Sequence, residues 1–513
     1  MTIAAVALLT PSAILLCDAA LTCIRSSRAL SRQLWAGAAR FDRTTAPFVF
    51  VLLPMHNEQS IVSDTLEHFL ALDYPRDRLG IVVVTGDAEH ESRRASRARV
   101  PSIAARIWQA GVFAPDQISG ALPLYLGDEV ERRLTESRDL TDFSDRLLRL
   151  HDDHPTTQAL AADWLANHPG APVLLMHEPS SSSSKASKLN YALCRLHEEG
   201  EDLRSSYLGV FDADSRPDLR TLGAVASALQ SATRRPFAIQ QLPLAVLEPK
   251  FWRPSRLRRI LMTVGALTLM RRSLSIELWH HQSSHRRRLF LQYFMGASVF
   301  LDPGPLLRSG GFPAYCDDIP LGYRADLLGL EVSSLPVFNY VTINRNVGEQ
   351  FAQFRHVCLG VCRGLYDEYR ASRRSTSPHP VRRWDVGRVA YTIVYDHAAP
   401  LLAAAQAFAL VLAVALSLAA GKLTPAYAAL MLALLYVAAG VPILLNSRLL
   451  SRLRVTHPPG LDVGRIVRTP LLAALAFAPA GGVVKGLLIA YGTGVNLLAG
   501  WVWKDLAARK SAR

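Results

Sequence analysis

The stretch Tyr207-Leu208-Gly209-Val210-Phe211-Asp212-Ala213-Asp214-Ser215 decides the fold. An apolar run of strand character ends in two carboxylates that are two residues apart, so both side chains point to the same side. Such a pair suits Mg²⁺ or Mn²⁺ carrying a diphosphate, because the ion keeps several waters and takes its other ligands from phosphate. An Asp-x-Asp pair is expected by chance about once in a chain this long, so its meaning depends on the motifs around it.

Two further apolar runs precede this stretch. Residues 48–54 and 79–84 each have the pattern of a buried parallel strand, and a helical pattern with one apolar face occupies residues 61–70. Strand, helix and strand at this spacing predict a βαβ unit with a right-handed crossover. Ligands of such sheets collect beyond the carboxyl ends of the strands, where His56-Asn57-Glu58 and Thr85-Gly86-Asp87 are expected.

A polar segment interrupts the sheet pattern after the second strand. Residues 93–170 are mostly helical by pattern and are interpreted as an insertion, either a lid or a partner surface. Strand patterns resume at 173–176 and 237–241, and another strand is predicted to end at Pro336. The sequence therefore predicts one α/β domain over residues 45–345.

The segment before the Asp212–Asp214 pair carries two lysines. A serine run at 180–184 predicts a flexible loop. The helix that follows begins with Lys185 and also carries Lys188 and Asn190. This arrangement places cations near a diphosphate bound at the strand ends.

Hydrophobic residues make up 50% of the 513 residues and are concentrated at both ends of the chain. Residues 1–24 predict a transmembrane helix, because arginines follow its apolar core instead of preceding it as in a signal peptide. Residues 391–503 predict a transmembrane region and residues 504–513 a cytoplasmic tail. The expected location is multi-pass in the inner (plasma) membrane, with the central domain in the cytoplasm.

The net charge of +14 is mostly due to arginine. The positive-inside rule and contact with anionic lipid headgroups explain it, and no nucleic-acid partner is expected because no nucleic-acid motif is recognised. The basic segment 251–292 is interpreted as an interfacial helix in preference to a solvated amphipathic one, and 346–390 as amphipathic interfacial helices. Six cysteines without a CxxC pair predict free thiols in a reducing compartment.

Taken in order, the motifs resemble those of membrane-embedded family 2 glycosyltransferases, the group of cellulose, chitin and hyaluronan synthases. The resemblance covers roughly residues 45–370. Its motifs are Pro54-x-His56-Asn57-Glu58, the acidic position after the second strand, Lys185-x-x-Lys188-Leu189-Asn190, Asp212-x-Asp214, Gly310-Gly311-Phe312, Asp317-Asp318 with Leu321-Gly322, and the helix from Gln353 to Gly360. The fold that the resemblance implies is an α/β GT-A domain (Rossmann-like, of the nucleotide-diphospho-sugar transferase type) plus α-helical transmembrane segments.

The resemblance also implies roles for individual residues. Asp318 is implied as the general base for the acceptor hydroxyl, and Asp212 and Asp214 as ligands of Mg²⁺ or Mn²⁺. The implied donor-binding residues are Asn57, Glu58, Asp87, Lys185, Asn190 and Asp212. The implied acceptor-binding residues are Gly296, Asp317, Gln353, Arg355 and His356. For Asp317-Asp318 an alternative that can coexist is the N-cap and first-turn acid of the following helix.

Two departures from the family pattern concern the donor and base motifs. Thr85-Gly86 stands where the family has an acidic pair, with Asp87 displaced by one position, so the nucleobase contact is left open. Cys316-Asp317 replaces the commoner Thr-Glu, which is a milder change.

A third departure lies in the helix that begins at Gln353. His356 and Val357 stand where the family has Arg and Trp. Valine offers no flat face for stacking a sugar, and histidine is a weaker diphosphate partner than arginine at neutral pH, although Arg355 is a candidate substitute. This change favours short or single sugar transfer.

The expected function is therefore an inverting, metal-dependent membrane glycosyltransferase. It would move a sugar from a nucleotide-sugar donor, with a UDP-sugar expected, to a lipid-linked or glycan acceptor at the cytoplasmic face. A divergent processive polysaccharide synthase stays open as an alternative. So does a catalytically inactive relative that acts as a scaffold with a protein partner in envelope glycan assembly.

Overall fold

The computed structural model describes residues 41–393, except 119–120, 181–183, 201–202, 251–253, 274–290, 315 and 375–382, together with isolated residues between 21 and 24 and between 412 and 467. The predicted membrane segments 1–24 and 391–503 fall almost wholly outside these residues, and the tail 504–513 falls entirely outside them. Within the described part of the chain, none of the helices combines the length and the apolar character that crossing a bilayer requires.

An eight-stranded mixed sheet forms the centre of the described domain. Its strands are β1 (Phe48–Pro54), β2 (Leu79–Gly86), β3 (Val173–Glu178), β4 (Ser206–Val210), β5 (Arg216–Pro217), β6 (Ala238–Leu247), β7 (Val299–Leu301) and β8 (Val332–Thr342). Their order is β3-β2-β1-β4-β7-β6-β8-β5. The first four run parallel, β7 is antiparallel to β4 and β6, and β8 runs parallel to β6. The α/β class and the βαβ unit are as predicted.

Helices connect and cover these strands. They are α1 (Val62–Leu70), α2 (Ala88–Arg97), α3 (Val100–Ala110), α4 (Gly127–Glu136), α5 (Leu140–Asp153), α6 (Thr157–Asn167), α7 (Lys185–Glu198), α8 (Thr221–Ser231), α9 (Arg256–Arg272), α10 (Pro303–Arg308), α11 (Ile319–Leu327), α12 (Val347–Leu359), α13 (Leu365–Arg374) and α14 (Arg383–Ile393). A π-helical turn, Gly360–Gly364, joins α12 to α13.

Strands β1, β2 and β4 are buried almost throughout because both faces of this part of the sheet are covered, whereas Leu174 of β3 is 41% exposed. On one face, Val51 and Leu53 of β1 pack in a cluster with Phe69 of α1. On the other face, Leu52 of β1 packs with Leu189 of α7. Burial on both sides leaves the strand ends as the place where polar side chains collect.

The helices between β2 and β3 occupy the range of the predicted insertion and have a small core of their own. Val130, Phe143 and Leu147 are fully buried in it, together with Ile107 of α3. Glu89 links this insertion to the loop after β1. Its carboxylate accepts hydrogen bonds from the amide of Thr157, in the insertion, at 2.7 Å and from the side chain of Gln59, in that loop, at 2.9 Å.

Helix α9 packs on β6 and β8, whereas Leu306 of α10 and Leu321 of α11 lie in the cluster that covers the parallel strands. In α9, Val264 and Leu267 are buried in a cluster with β6, whereas Leu257 is 54% exposed, so part of the stripe predicted to face a bilayer packs on the protein. The described helix ends at Arg272, and residues 274–290 of the predicted basic helix lie outside the described residues. Ile466 forms a β-bridge with Leu247, so a residue from the predicted membrane region contacts the end of β6.

Candidate active site

Two carboxylates follow β4, as the sequence predicted. The Asp212 carboxylate accepts a hydrogen bond from the Lys185 ammonium at 2.6 Å. The Asp214 carboxylate accepts hydrogen bonds from the backbone N–H of Thr342, at 3.1 Å, and from the Thr342 hydroxyl. Because Thr342 is the last residue of β8, Asp214 ties the end of β4 to the far half of the sheet.

Lys185 lies at the centre of this group of acids. It is the first residue of α7, whose N-cap Ser184 accepts a hydrogen bond from the Ser187 amide. Besides Asp212, its ammonium contacts the Asp317 carboxylate at 3.2 Å and donates to the Gly296 carbonyl at 3.0 Å. Burial acts to lower the pKa of Lys185, but the neighbouring carboxylates outweigh it and raise that pKa, so the ammonium stays charged.

Asp317 and Asp318 complete the acidic cluster, which we define as Asp212, Asp214, Asp317 and Asp318. Burial raises the pKa of Asp317 above its ordinary value, Lys185 opposes this shift, and Asp318 adds to it. Burial also raises the pKa of Asp212, and the Asp214 charge raises it further. The cluster therefore holds more negative charge than Lys185 compensates.

Asp318 is the N-cap of α11, and its carboxylate is held at both oxygens. Oδ1 accepts from the Ile319 amide at 2.6 Å and from the Cys316 thiol at 2.9 Å, while Oδ2 accepts from the Gly296 amide at 2.7 Å. A Cβ on Gly296 would lie 2.9 Å from Asp318 Oδ2 and 3.0 Å from Asp317 Oδ2, so only glycine fits this close approach. The capping alternative is thus observed, and it fixes the direction in which the carboxylate points.

The donor set at the strand ends fits a divalent ion that is shared with phosphate. Within the described residues, Asp212 Oδ2 and Asp214 Oδ1 accept no hydrogen bond, which leaves one hard oxygen on each side chain for a cation. No group of three or more His, Cys, Asp and Glu residues that could hold a metal is found in that part of the chain. Two carboxylates with water and phosphate completing the shell is the mode by which Mg²⁺ is usually held.

The loop after β1 adds a fifth acid beside the cluster. Asn57 adopts the left-handed backbone conformation (φ 59°), which asparagine tolerates better than most residues, and its side chain donates to the Ser92 hydroxyl at 3.2 Å. Burial raises the pKa of Glu58 to about 8, with a further contribution from the Asp214 charge. Glu58 is therefore protonated at neutral pH and can donate a hydrogen bond there.

The other predicted site residues have structural partners. Asp87, at the N-terminus of α2, contacts His177 Nε2 at 2.9 Å, and this pair joins the ends of β2 and β3. Asn190 both donates to and accepts from the backbone of Phe312, at 2.9 and 2.8 Å, so its amide holds the Gly310-Gly311 turn. These contacts do not test the predicted roles of Asp87 and Asn190 in binding the sugar donor, which stay predictions.

The predicted acceptor residues on α12 lie apart from these contacts. The Gln353 side chain accepts a hydrogen bond from Asn344 at 2.9 Å and is exposed, as is Arg355. The side chain of His356 lies outside the described residues. The structure thus brings Lys185, Gly296 and the acidic cluster together. Gln353 of α12 makes its hydrogen bond to Asn344 outside this group.

The sequence did not single out Thr342 or His177, although both contact predicted site residues. Thr342 was missed because the strand that carries it was predicted to end at Pro336. His177 directly follows the run 173–176, and its position at the end of a parallel strand beside Asp87 was the available signal.

Comparison with known proteins gives distant structural similarities. No protein-family model and no curated protein matches the chain. Among solved structures, it is similar to the mannosyltransferase PcManGT from Pyrobaculum calidifontis in complex with GDP-Man and Mn²⁺, with 17% identity over 92% of this chain and 98% of that one and a TM-score of 0.42. It is also similar to S. aureus TarS 1–349 in complex with UDP, with 11% identity over 88% and 91% and a TM-score of 0.32. Similarity at this level carries no argument about the activity of the chain.

Proposed function

We propose that the protein is a glycosyltransferase that moves a sugar from a nucleotide-sugar donor to an acceptor hydroxyl. The observation that carries the proposal is that acids from two separate parts of the chain, residues 212–214 and 317–318, meet beside Lys185 at the strand ends. The order of the sequence motifs supports the same function. A UDP-sugar is the proposed donor, and a lipid or glycan at the cytoplasmic face of the inner membrane is the proposed acceptor.

The proposed mechanism assigns one proton transfer to Asp318. Its carboxylate accepts the proton of the acceptor hydroxyl while the oxygen attacks the anomeric carbon, and the bond to the diphosphate breaks on the opposite face, which inverts the configuration. The backbone amides of Gly296 and Ile319 donate to the carboxylate and hold its orientation. Lys185 faces the position of the leaving group and balances its growing negative charge.

Asp212 and Asp214 are the proposed ligands of Mg²⁺ or Mn²⁺. When bound, such an ion neutralises charge on the departing diphosphate. Glu58, which is protonated at neutral pH, is proposed to donate a hydrogen bond to the donor without adding a repulsive charge beside Asp214.

The test compares the wild type with Asp318→Asn in the full chain, using release of nucleoside diphosphate from a panel of sugar nucleotides with and without Mg²⁺ or Mn²⁺. The exposed Asp153→Asn is the matched control. Loss of the base is expected to lower kcat by about 10²–10⁴-fold, with a smaller change in donor KM. Equal background release by all three proteins would refute the proposal and favour the inactive scaffold.

A further inference from the structure

A cavity of about 220 Å³ lies between the insertion and the end of β1. Its lining includes Asn57 and Gln59, the two neighbours in sequence of Glu58, which the charges of Asp214 and Asp212 reach. Its walls come from the loop after β1, from α2, from the segment before α4, from the end of α5, and from the residues that follow β6 and β8. Because the insertion supplies part of the lining, this cavity gives a binding role to a segment that the sequence analysis interpreted as a lid or a partner surface.

Permanent positive charge distinguishes the lining of this cavity. Among the described residues that line it, Arg93, Lys250 and Arg345 are cationic and none is a carboxylate. Arg93 donates to the carbonyls of His151, at 2.8 Å, and Asp152, at 2.9 Å, so its charge is not cancelled by these partners. Lys250 is paired with Asp64 at 2.7 Å and contributes mainly a hydrogen-bond donor.

Neutral polar groups surround these cations. Burial, together with the Arg93 charge, lowers the pKa of His154 to about 4, so its imidazole is neutral and contacts the Tyr125 hydroxyl. The Ser96 hydroxyl donates to the Arg93 carbonyl at 2.8 Å and also contacts His151 Nε2 at 3.0 Å. A guanidinium forms charge-assisted hydrogen bonds with phosphate, so the arginines are the strongest partners that this lining offers to a phosphate ester.

Size and position both point to a substrate group. A single water needs roughly 10–15 Å³ of such a cavity. A volume of about 220 Å³ therefore accommodates an organic phosphate as well as a bare ion. Arg345 lies within electrostatic range of Glu58, because its charge acts to lower the pKa of that residue. Lys250 and Arg345 follow β6 and β8, on the opposite half of the sheet from Asp87 and its partner at the ends of β2 and β3.

We propose that this cavity is a second substrate subsite, which binds a phosphate group carried by the acceptor. The inference rests on the proposed function, because it assumes that an acceptor binds beside the acidic cluster. The shared chemistry is a phosphate ester, and its carrier is either a lipid or a sugar. The insertion then selects acceptors by their charge, while the acidic cluster carries out the transfer.

The test measures retention of two radiolabelled probes, glucose 1-phosphate and farnesyl phosphate, by the purified full chain without donor. Arg345→Gln and Lys250→Gln are each expected to weaken binding of the retained probe, with Arg345→Gln lowering affinity about 10- to 100-fold. Arg106→Gln, an exposed insertion arginine that does not line the cavity, is the matched control and is expected to bind as the wild type does. The probe that is retained identifies the carrier as sugar or lipid.

Three results would overturn the inference. They are retention of neither probe, equal weakening by Arg106→Gln, and complete displacement of the probe by a nucleoside diphosphate, which would assign the cavity to the donor. Circular dichroism of each variant shows whether it is folded. The assay needs no turnover, so probe retention by an inactive wild-type chain would separate failure of the proposed function from failure of the subsite.

Discussion

The ion pair between Arg324 and Glu368 gives the sharpest test of how the helix that begins at Asp318 is held. The pair is bidentate, at 2.8 and 2.7 Å, and the two side chains are 14% and 9% exposed. Arg324 also donates to the carbonyls of Ser309, at 2.9 Å, and Gly311, at 2.7 Å. One guanidinium therefore joins α11, α13 and the turn before α11.

The expected loss of unfolding free energy follows from the buried polar groups that each substitution leaves without a partner. Arg324→Met strands a buried carboxylate and two carbonyls and is expected to cost about 3–4 kcal/mol of unfolding free energy, and Glu368→Met about 2–3 kcal/mol. The double variant removes both charges, so only the two carbonyls lose partners and the expected cost is about 2 kcal/mol. The two sites are therefore expected to be coupled by about 3 kcal/mol or more, and the sum of the single effects overshoots the double.

Urea unfolding of the purified full chain, followed by circular dichroism, measures these differences. Arg363→Met is the control, because its pair with Asp367 is 3.8 Å long and about half exposed, and it is expected to change stability by at most about 0.5 kcal/mol. Single variants within about 0.5 kcal/mol of the wild type, or a double variant equal to the sum of the singles, would refute this reasoning.

Three further predictions concern the site itself. Lys185→Gln removes a cation 2.6 Å from Asp212 and is expected to raise donor KM about 10- to 100-fold, and an unchanged KM in a donor titration would contradict its phosphate role. Glu58 has a pKa of about 8 in the folded protein against an ordinary 4.5. The stability of the wild type should therefore fall as the pH rises from 4.5 toward 8, whereas that of Glu58→Gln should not. Urea midpoints measured across this pH range test this difference. Gly296→Ala places a Cβ 2.9 Å from the Asp318 carboxylate and is expected to lower kcat about 10²-fold in steady-state assays, with wild-type kcat as the contrary result.

The parallel half of the sheet could be predicted from sequence because its strands are buried on both faces. Uninterrupted apolar runs such as 48–54 and 79–84 record that burial directly, and β1 and β2 occupy almost the same residues. In the other half of the sheet, strands that pair in space are distant in sequence. The only sequence signals there are the alternation of apolar and polar residues and the positions of strand-breaking residues. The position of β7 between β4 and β6 is decided by such long-range pairing and could not be predicted.

Pro336 shows why one strand boundary was wrong. Proline cannot donate to a strand ladder, so the strand was predicted to end there, but β8 continues to Thr342. The register of β8 against β6 slips in this region, since Ser334 pairs with Gln240 and Phe338 pairs with Leu242. An irregularity of this kind accommodates proline inside a sheet, and it carries Thr342 to its contact with Asp214.

Motif order predicted which acids would meet, and the contacts between them could not be predicted. That Asp212 and Asp317 share Lys185 depends on the distance between two loops, and the dual hydrogen bond from Asn190 to Phe312 depends on the shape of the Gly310-Gly311 turn. A sequence of residue types indicates that such groups are present. Only the packing of α7 against the loop before α11 decides which of them pair with each other and which face the ligand.

The excess of negative charge in the acidic cluster links the geometry to the proposed chemistry. Burial raises the pKa values of Asp212 and Asp317, Lys185 opposes both shifts, and the neighbouring carboxylates Asp214 and Asp318 add to them. Such an arrangement costs stability unless a bound group compensates it, and strained electrostatics of this kind cluster at functional sites. A divalent ion on Asp212 and Asp214, as proposed above, would supply positive charge there, while the amides of Gly296 and Ile319 orient the Asp318 carboxylate. The same group of acids therefore contains the proposed cation site at the strand ends and the proposed base at the start of α11.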